Sequence, residues 1–260
     1  MTAAAVFSAT AASPSAGRPA AGIPEPRRSH DDRQPAAGIS RAAAYQRVLH
    51  QLVRRELRLL ADLAAWAPAD EAERTTTLTR HADLVGRVLL HHHTVEREAV
   101  WPALLRAVSP AAADEVRAAV EDWAERCGRI DHMLRDVATD ARQWAVAGTA
   151  RARDAFARAC CALADAVDEQ TAVEEQTLLP LLGTHLRTDD WIAIAASAHC
   201  RLSPREQLLV LGLALEDSCA GDRARLMVGL PRPLRAAWHV HGRRTYRAAV
   251  VKLRGAPPAA

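Results

Sequence analysis

The stretch His91-His92-His93-Thr94-Val95-Glu96-Arg97-Glu98-Ala99-Val100-Trp101-Pro102 decides the fold. Read as a helix, it places His92 and Glu96 one turn apart and pointing the same way. Their helical-period neighbours form one stripe: Leu78, His81, Val85, Val88, His92, Glu96 and Ala99. Two ligand-type side chains therefore stand in the middle of an apolar face. A buried carboxylate needs a proton, a partner charge or a metal. A helix that turns His and Glu inward is the unit from which bundle metal sites are built.

A second stretch repeats the layout. Gln170-Thr171-Ala172-Val173-Glu174 has the same spacing, and Pro180 follows Gln170 by 10 residues, as Pro102 follows His92. Its stripe is Leu163, Val167, Gln170, Glu174, Leu178 and Leu181, so Glu174 also points inward. The companion helices correspond: His50 lies 42 residues before His92, and Cys127 lies 43 before Gln170. Two αα-hairpins follow, giving an all-α, up-down four-helix bundle with a polar cluster at mid-height. The first hairpin offers His50, His92 and Glu96; the second offers Cys127, Gln170 and Glu174.

The rest of the composition agrees with helices. Ala, Leu, Arg and Val dominate, aromatics are 4%, and no alternating Val/Ile/Thr-rich run stands out. At 260 residues there is room for one large core, or for one bundle plus an extension. A net charge of +3 argues neither for nor against an acidic partner, and the basic residues include a single lysine, Lys252. Five cysteines at irregular spacing, without C-x-x-C, suit free thiols in a reducing cytoplasm. No basic n-region precedes the N-terminal apolar residues, so a signal peptide is not expected. No run approaches the ~18–20 apolar residues of a membrane span. The expected location is the cytoplasm, with no membrane partner.

Along the chain, residues 1–38 read as a disordered tail, with Pro14, Pro19, Pro24, Pro26 and Pro35 too frequent for a helix. The bundle is expected over 39–186, a C-terminal helical extension over 187–254, and a second short tail over 255–260. Ser40 is placed to cap a first helix that ends before Pro68. The second helix spans roughly 70–107 with a disturbance at Pro102, the third 111–147, and the fourth 150–186 with a disturbance at Pro180. His81 shares the stripe of His92 but lies ~16 Å away at ~1.5 Å per residue, so it reads as a core histidine or a gate at the bundle end. His91 and His93 flank the stripe, and His132 faces away from Cys127. In the extension, Ser203-Pro204-Arg205-Glu206 forms a capping box. The basic run Arg235, Arg243, Arg244, Arg247 and Lys252 lacks interleaved aromatics, so a solvated face is expected rather than a nucleic-acid partner. The apolar positions Leu234, Trp238 and Val250 are expected to pack on the bundle or on a second copy, so a homo-oligomer or a protein partner through these helices is allowed for.

Leu89 to Pro102, the EEQTLLPLL run from Glu174, and the H-x-x-x-R-R-E-L opening at His50 resemble bacterial hemerythrin-like, HHE cation-binding proteins. The resemblance covers about residues 40–185. It implies a four-helix bundle holding two irons, with one histidine each from helices one and three, H-x-x-x-E from helices two and four, and the glutamates bridging. Carried over by position, His50, His92, Glu96 and Glu174 match. Cys127 and Gln170 stand where two further histidines would be.

Two readings stay open from the sequence. In one, iron binds as a single ion or an asymmetric pair through His50, His92, Glu96 and Glu174, with Cys127 as an added thiolate that would favour zinc or a mixed site. The chain would then be a binding or sensing module for a small diatomic ligand such as O2 or NO. In the other, no metal binds, the histidines pair with the glutamates, and the chain is a structural or interaction module. No nucleophile–base pair, glycine-rich phosphate loop or dinucleotide fingerprint is present, so an enzyme is not expected.

Overall fold

The computed structural model describes residues 40–198, 200–256 and 258, and every regular element among them is helical. The tail expected over 1–38 lies outside these residues, as do residues 257, 259 and 260 of the C-terminal one.

Helix α1 spans Arg41–Trp66. Ser40 caps it, its hydroxyl accepting from the Ala43 amide at 3.1 Å. Helix α2 spans Ala72–Val95, and a π turn over Glu96–Val100 joins it to α3, Trp101–Ala107. The disturbance expected at Pro102 thus falls one turn earlier. Pro102 has no amide hydrogen, and its ring would collide with the carbonyl of residue 98 in a regular helix. The helix widens instead, and the Trp101 amide reaches back five residues to the Glu96 carbonyl.

Helix α4 spans Ala113–Ala147 and α5 spans Ala150–Thr177. Gly148 closes α4 in the left-handed conformation, φ 58°, which a residue without Cβ takes at no steric cost. Thr149 then caps α5 through the Ala152 amide. The fourth bundle helix breaks at Leu178 and resumes as α6, Leu179–His185, with Pro180 in its first turn.

Helix α1 packs on α2 and α5, and α4 packs on α2 and α5. The stripes of the sequence fill the space between them. Leu57, Leu78, Val88, Ile130, Leu163 and Val167 are buried, each contributing roughly 1.5–3 kcal/mol of transfer free energy. Val120, Ala99 and Leu181, at the stripe edges, are only half-buried.

The extension comprises α7 (Thr188–Ser197), α8 (Pro204–Glu216), α9 (Ala220–Gly229), and α10 (Arg232–Ala237), which runs through a second π turn into α11 (Arg243–Arg254). The capping box at Ser203 and Glu206 forms as expected. Helix α8 lies against α1 and α11, α9 against α1, and α11 against α2, so this apolar surface is covered by the bundle itself. Gly212 on α8 lets the Tyr246 ring approach so closely that a Cβ would sit inside it.

A buried ionic cluster ties the extension down. Glu56, fully buried on α1, accepts from His81 Nε2 at 2.7 Å, Arg55 Nε at 2.7 Å and Arg254 at 2.7 Å. Arg254 also donates to Glu216, which accepts from Tyr246 Oη as well. His81 is therefore a partner of this cluster, which resolves its role as structural. Burial pushes the Glu56 carboxyl up, but the His81 hydrogen bond and the Arg55 and Arg254 charges overcome this and hold it at about 2.

Candidate metal centre

Helices α1 and α5 and the junction of α2 with the first π turn bring His50, His92, Glu96 and Glu174 to one point. All four are buried, and one donor atom from each lies within 4.8 Å of the others. The reason is local. Each residue lies on the apolar stripe of its own helical segment, so burying the stripes buries these groups together.

Three of the four residues, His50, Glu96 and Glu174, are oriented by neighbours. Glu174 Oε2 accepts from Gln170 Nε2 at 2.7 Å and from Trp123 Nε1 at 3.0 Å. Glu96 Oε1 accepts from Gln46 Nε2 at 2.6 Å. His50 Nδ1 pairs with Glu175 Oε1 at 2.9 Å, and Arg54 also pairs with that carboxylate at 3.2 Å. What is left over is one atom per ligand-type residue. His50 Nε2, His92 Nε2, Glu96 Oε2 and Glu174 Oε1 are all buried without a hydrogen-bond partner among the described residues. His50 Nε2 lies 3.3 Å from Glu174 Oε1, and His92 Nε2 lies 3.4 Å from Glu96 Oε2.

The electrostatics divide the carboxyls. Burial, and then the Glu174 charge, hold the Glu96 carboxyl well above the usual carboxylate range. Burial also pushes Glu174 up, but the charge on His50 overcomes this and leaves Glu174 below that range. Burial lowers His50, yet Glu174 and Glu175 pull it above the ordinary histidine value. His92 is pushed well below that value, by burial and then by His50. Its ring is thus a neutral imidazole with a free lone pair, the form in which histidine ligates a metal.

A family model, the hemerythrin HHE cation-binding domain, matches residues 43–182, more than half of the chain. The chain belongs to this family. No curated protein and no solved structure compared with the chain matches it. The HHE match ends before α7, so the extension lies outside it.

Within the hemerythrin frame, four of the residues present suit a cation. Four orphaned donors converge, with two imidazole nitrogens and two carboxylate oxygens. At the second-half positions the arrangement is different. Gln170 is buried and spends its amide on Glu174, so it is a buttress to that carboxylate. Cys127 is fully buried, and burial followed by the charges of Glu96 and Glu174 pushes its thiol up. It sits in the apolar core and is not among the residues whose donor atoms converge.

Four residues around the centre were not foreseen as part of it. Gln46 lies one turn before His50 on the same face, so the i,i+4 rule that found Glu96 would have found it. Trp123 is visible as an apolar stripe residue, but its N–H is what the site uses. Glu175 follows Glu174, and nothing in the spacing sets it apart. Trp191 comes from α7, whose path no periodicity gives. His93, flanking the stripe, is buried and pairs with Asp131 at 3.1 Å, while His132 is exposed.

Proposed function

We propose that the chain is a cation-binding module holding a single iron through His50, His92, Glu96 and Glu174, and that it serves as a binding or sensing protein for a small ligand such as O2 or NO rather than as an enzyme. One observation carries this reading. Four buried donor atoms on four side chains converge, in two His–Glu pairs 3.3 and 3.4 Å apart, and make no hydrogen bond among the described residues, while every other polar contact of those carboxylates is made. Unpartnered buried polar groups cost about 1–3 kcal/mol each, so a fold keeps four together only where something else satisfies them.

The donor set favours iron. Imidazole and carboxylate together suit ferrous iron, and the converging set contains no thiolate to draw a softer ion. A ferrous ion would supply a vacant coordination position and an electron. The chain's own residues do the rest. Glu175 holds the His50 ring so that Nε2 faces the centre, a carboxylate–histidine arrangement that fixes the tautomer. Gln46, Gln170 and Trp123 hold the two carboxylates in single orientations. The apolar walls exclude bulk water, which strengthens every charge interaction inside. No described helix is long and apolar enough to cross a membrane.

Metal analysis of protein purified without a histidine tag, then loaded anaerobically with ferrous iron, tests this. The expected result is one iron per chain and a melting temperature that rises with free iron, following RT ln(1 + [L]/Kd). The His92→Ala variant should lose both. Protein that stays metal-free and unshifted after loading would overturn the proposal.

A further inference from the structure

Beside the centre is a nearly closed void in which the volume open to the centre of a water molecule is ≈ 10 Å3. That is room for about one water. Gln46, His92, Glu96 and Val100 line it on the bundle side. Its other wall is Trp191 of α7, a helix that packs against both α1 and the first π turn. Trp191 is 2% exposed, and its ring stacks near Tyr45 with centroids 5.3 Å apart.

Two polar atoms on this wall lack a partner among the described residues: Trp191 Nε1 and Gln46 Oε1. The first is a donor and the second an acceptor. Buried indole N–H groups usually find an acceptor, and this one has none from the protein. His92 and Glu96, which also line it, each carry one of the four orphaned donor atoms of the cluster.

We propose that Trp191 is a specificity-determining residue of this centre. Its ring closes the void over His92 and Glu96. Its N–H selects a ligand of one or two heavy atoms that accepts a hydrogen bond, the class to which O2 and NO belong. A planar five-membered ring such as imidazole is excluded by size. Trp191 lies beyond the residues matched by the family model, so this filter belongs to the extension and not to the bundle. The inference rests on the single-ion reading of the cluster.

The test uses the full chain loaded with cobalt(II), whose visible spectrum reports changes in its coordination. Probes are fluoride, a one-atom hydrogen-bond acceptor, and imidazole. Wild-type protein should bind fluoride and show no spectral change with imidazole. Trp191→Ala should admit imidazole and release cobalt to a chelator at least ten times faster. Trp191→Phe, which keeps the ring and is the safer fold, should still exclude imidazole but bind fluoride roughly fivefold more weakly through loss of one hydrogen bond. Imidazole binding equally to wild type and Trp191→Ala, or fluoride binding unchanged in Trp191→Phe, would overturn the filter while leaving the single-ion centre standing. Failure of wild type to take up cobalt would overturn the centre itself, and the filter with it.

Discussion

Gln170 donates its side-chain amide to Glu174 Oε2 at 2.7 Å, and both residues are buried on α5. Where the family pattern expects a histidine, the side chain has become a strut for the neighbouring carboxylate. Trp123 donates to the same oxygen, so Oε2 is already doubly engaged.

The first prediction follows from that strut. The double variant Cys127→His plus Gln170→His should restore donors on α4 and α5 and raise the iron content from one toward two per chain. Metal-to-protein ratios measured after anaerobic loading check it. A ratio unchanged at one would mean that the two half-sites are not in register.

The second concerns Glu175, which touches His50 but is not itself a donor of the cluster. Glu175→Gln weakens the partner that fixes the His50 ring. Such changes typically cost about 10–100-fold in metal affinity. Competition with a coloured chelator would measure it. An affinity within twofold of wild type would show that Glu175 serves only Arg54.

A third prediction is a pH dependence set far from the centre. Glu56 is ionised more readily in the fold, at about 2, than in the unfolded chain, where the reference value is 4.5. Its stabilisation is therefore present above pH 4.5 and is lost as pH falls from 4.5 toward 2. The difference corresponds to roughly 3 kcal/mol at neutral pH. Urea unfolding of metal-stripped protein should show wild type more stable than Glu56→Gln at pH 7, with the gap closing between pH 4.5 and 2. A gap that does not change across that window would assign the stability to packing.

Gly212 gives a fourth. A methyl group there overlaps the Tyr246 ring, which is buried between α8 and α11 and hydrogen-bonded to Glu216. Gly212→Ala should destabilise the chain by about 1–3 kcal/mol, as overpacking does, despite the better helix propensity of alanine. Thermal melts compare the two, and a Tm equal to or above wild type would contradict the close approach.

The bundle and the meeting of His50, His92, Glu96 and Glu174 were legible because helical periodicity is a one-dimensional signal. Residues one turn apart share a face whatever the helix packs against. The supporting groups were less visible. The indole N–H of Trp123 and the amide of Gln46 count as stripe or neutral positions until a carboxylate is known to face them. Cys127 could be read as a donor or a hydrophobe from its position alone, and the burial that pushes its thiol up, with the charges of Glu96 and Glu174, depends on how other helices pack around it. Trp191 and the Glu56 cluster depend on where α7 and α11 settle, and no spacing within one helix specifies that. The shift of the helix distortion from Pro102 to Glu96–Val100 reflects where a proline does its damage, one turn upstream of its own position.

The bond from Arg254 to Glu56 spans 198 residues of chain. At about 5–20 residues per second, a ribosome adds that length in about 10–40 s. During that interval Glu56 has only Arg55 and His81 as charge partners, and only the closing turns of α11 bring the last counter-charge. That contact is completed by the last described helix, after the four side chains of the cation cluster have been made.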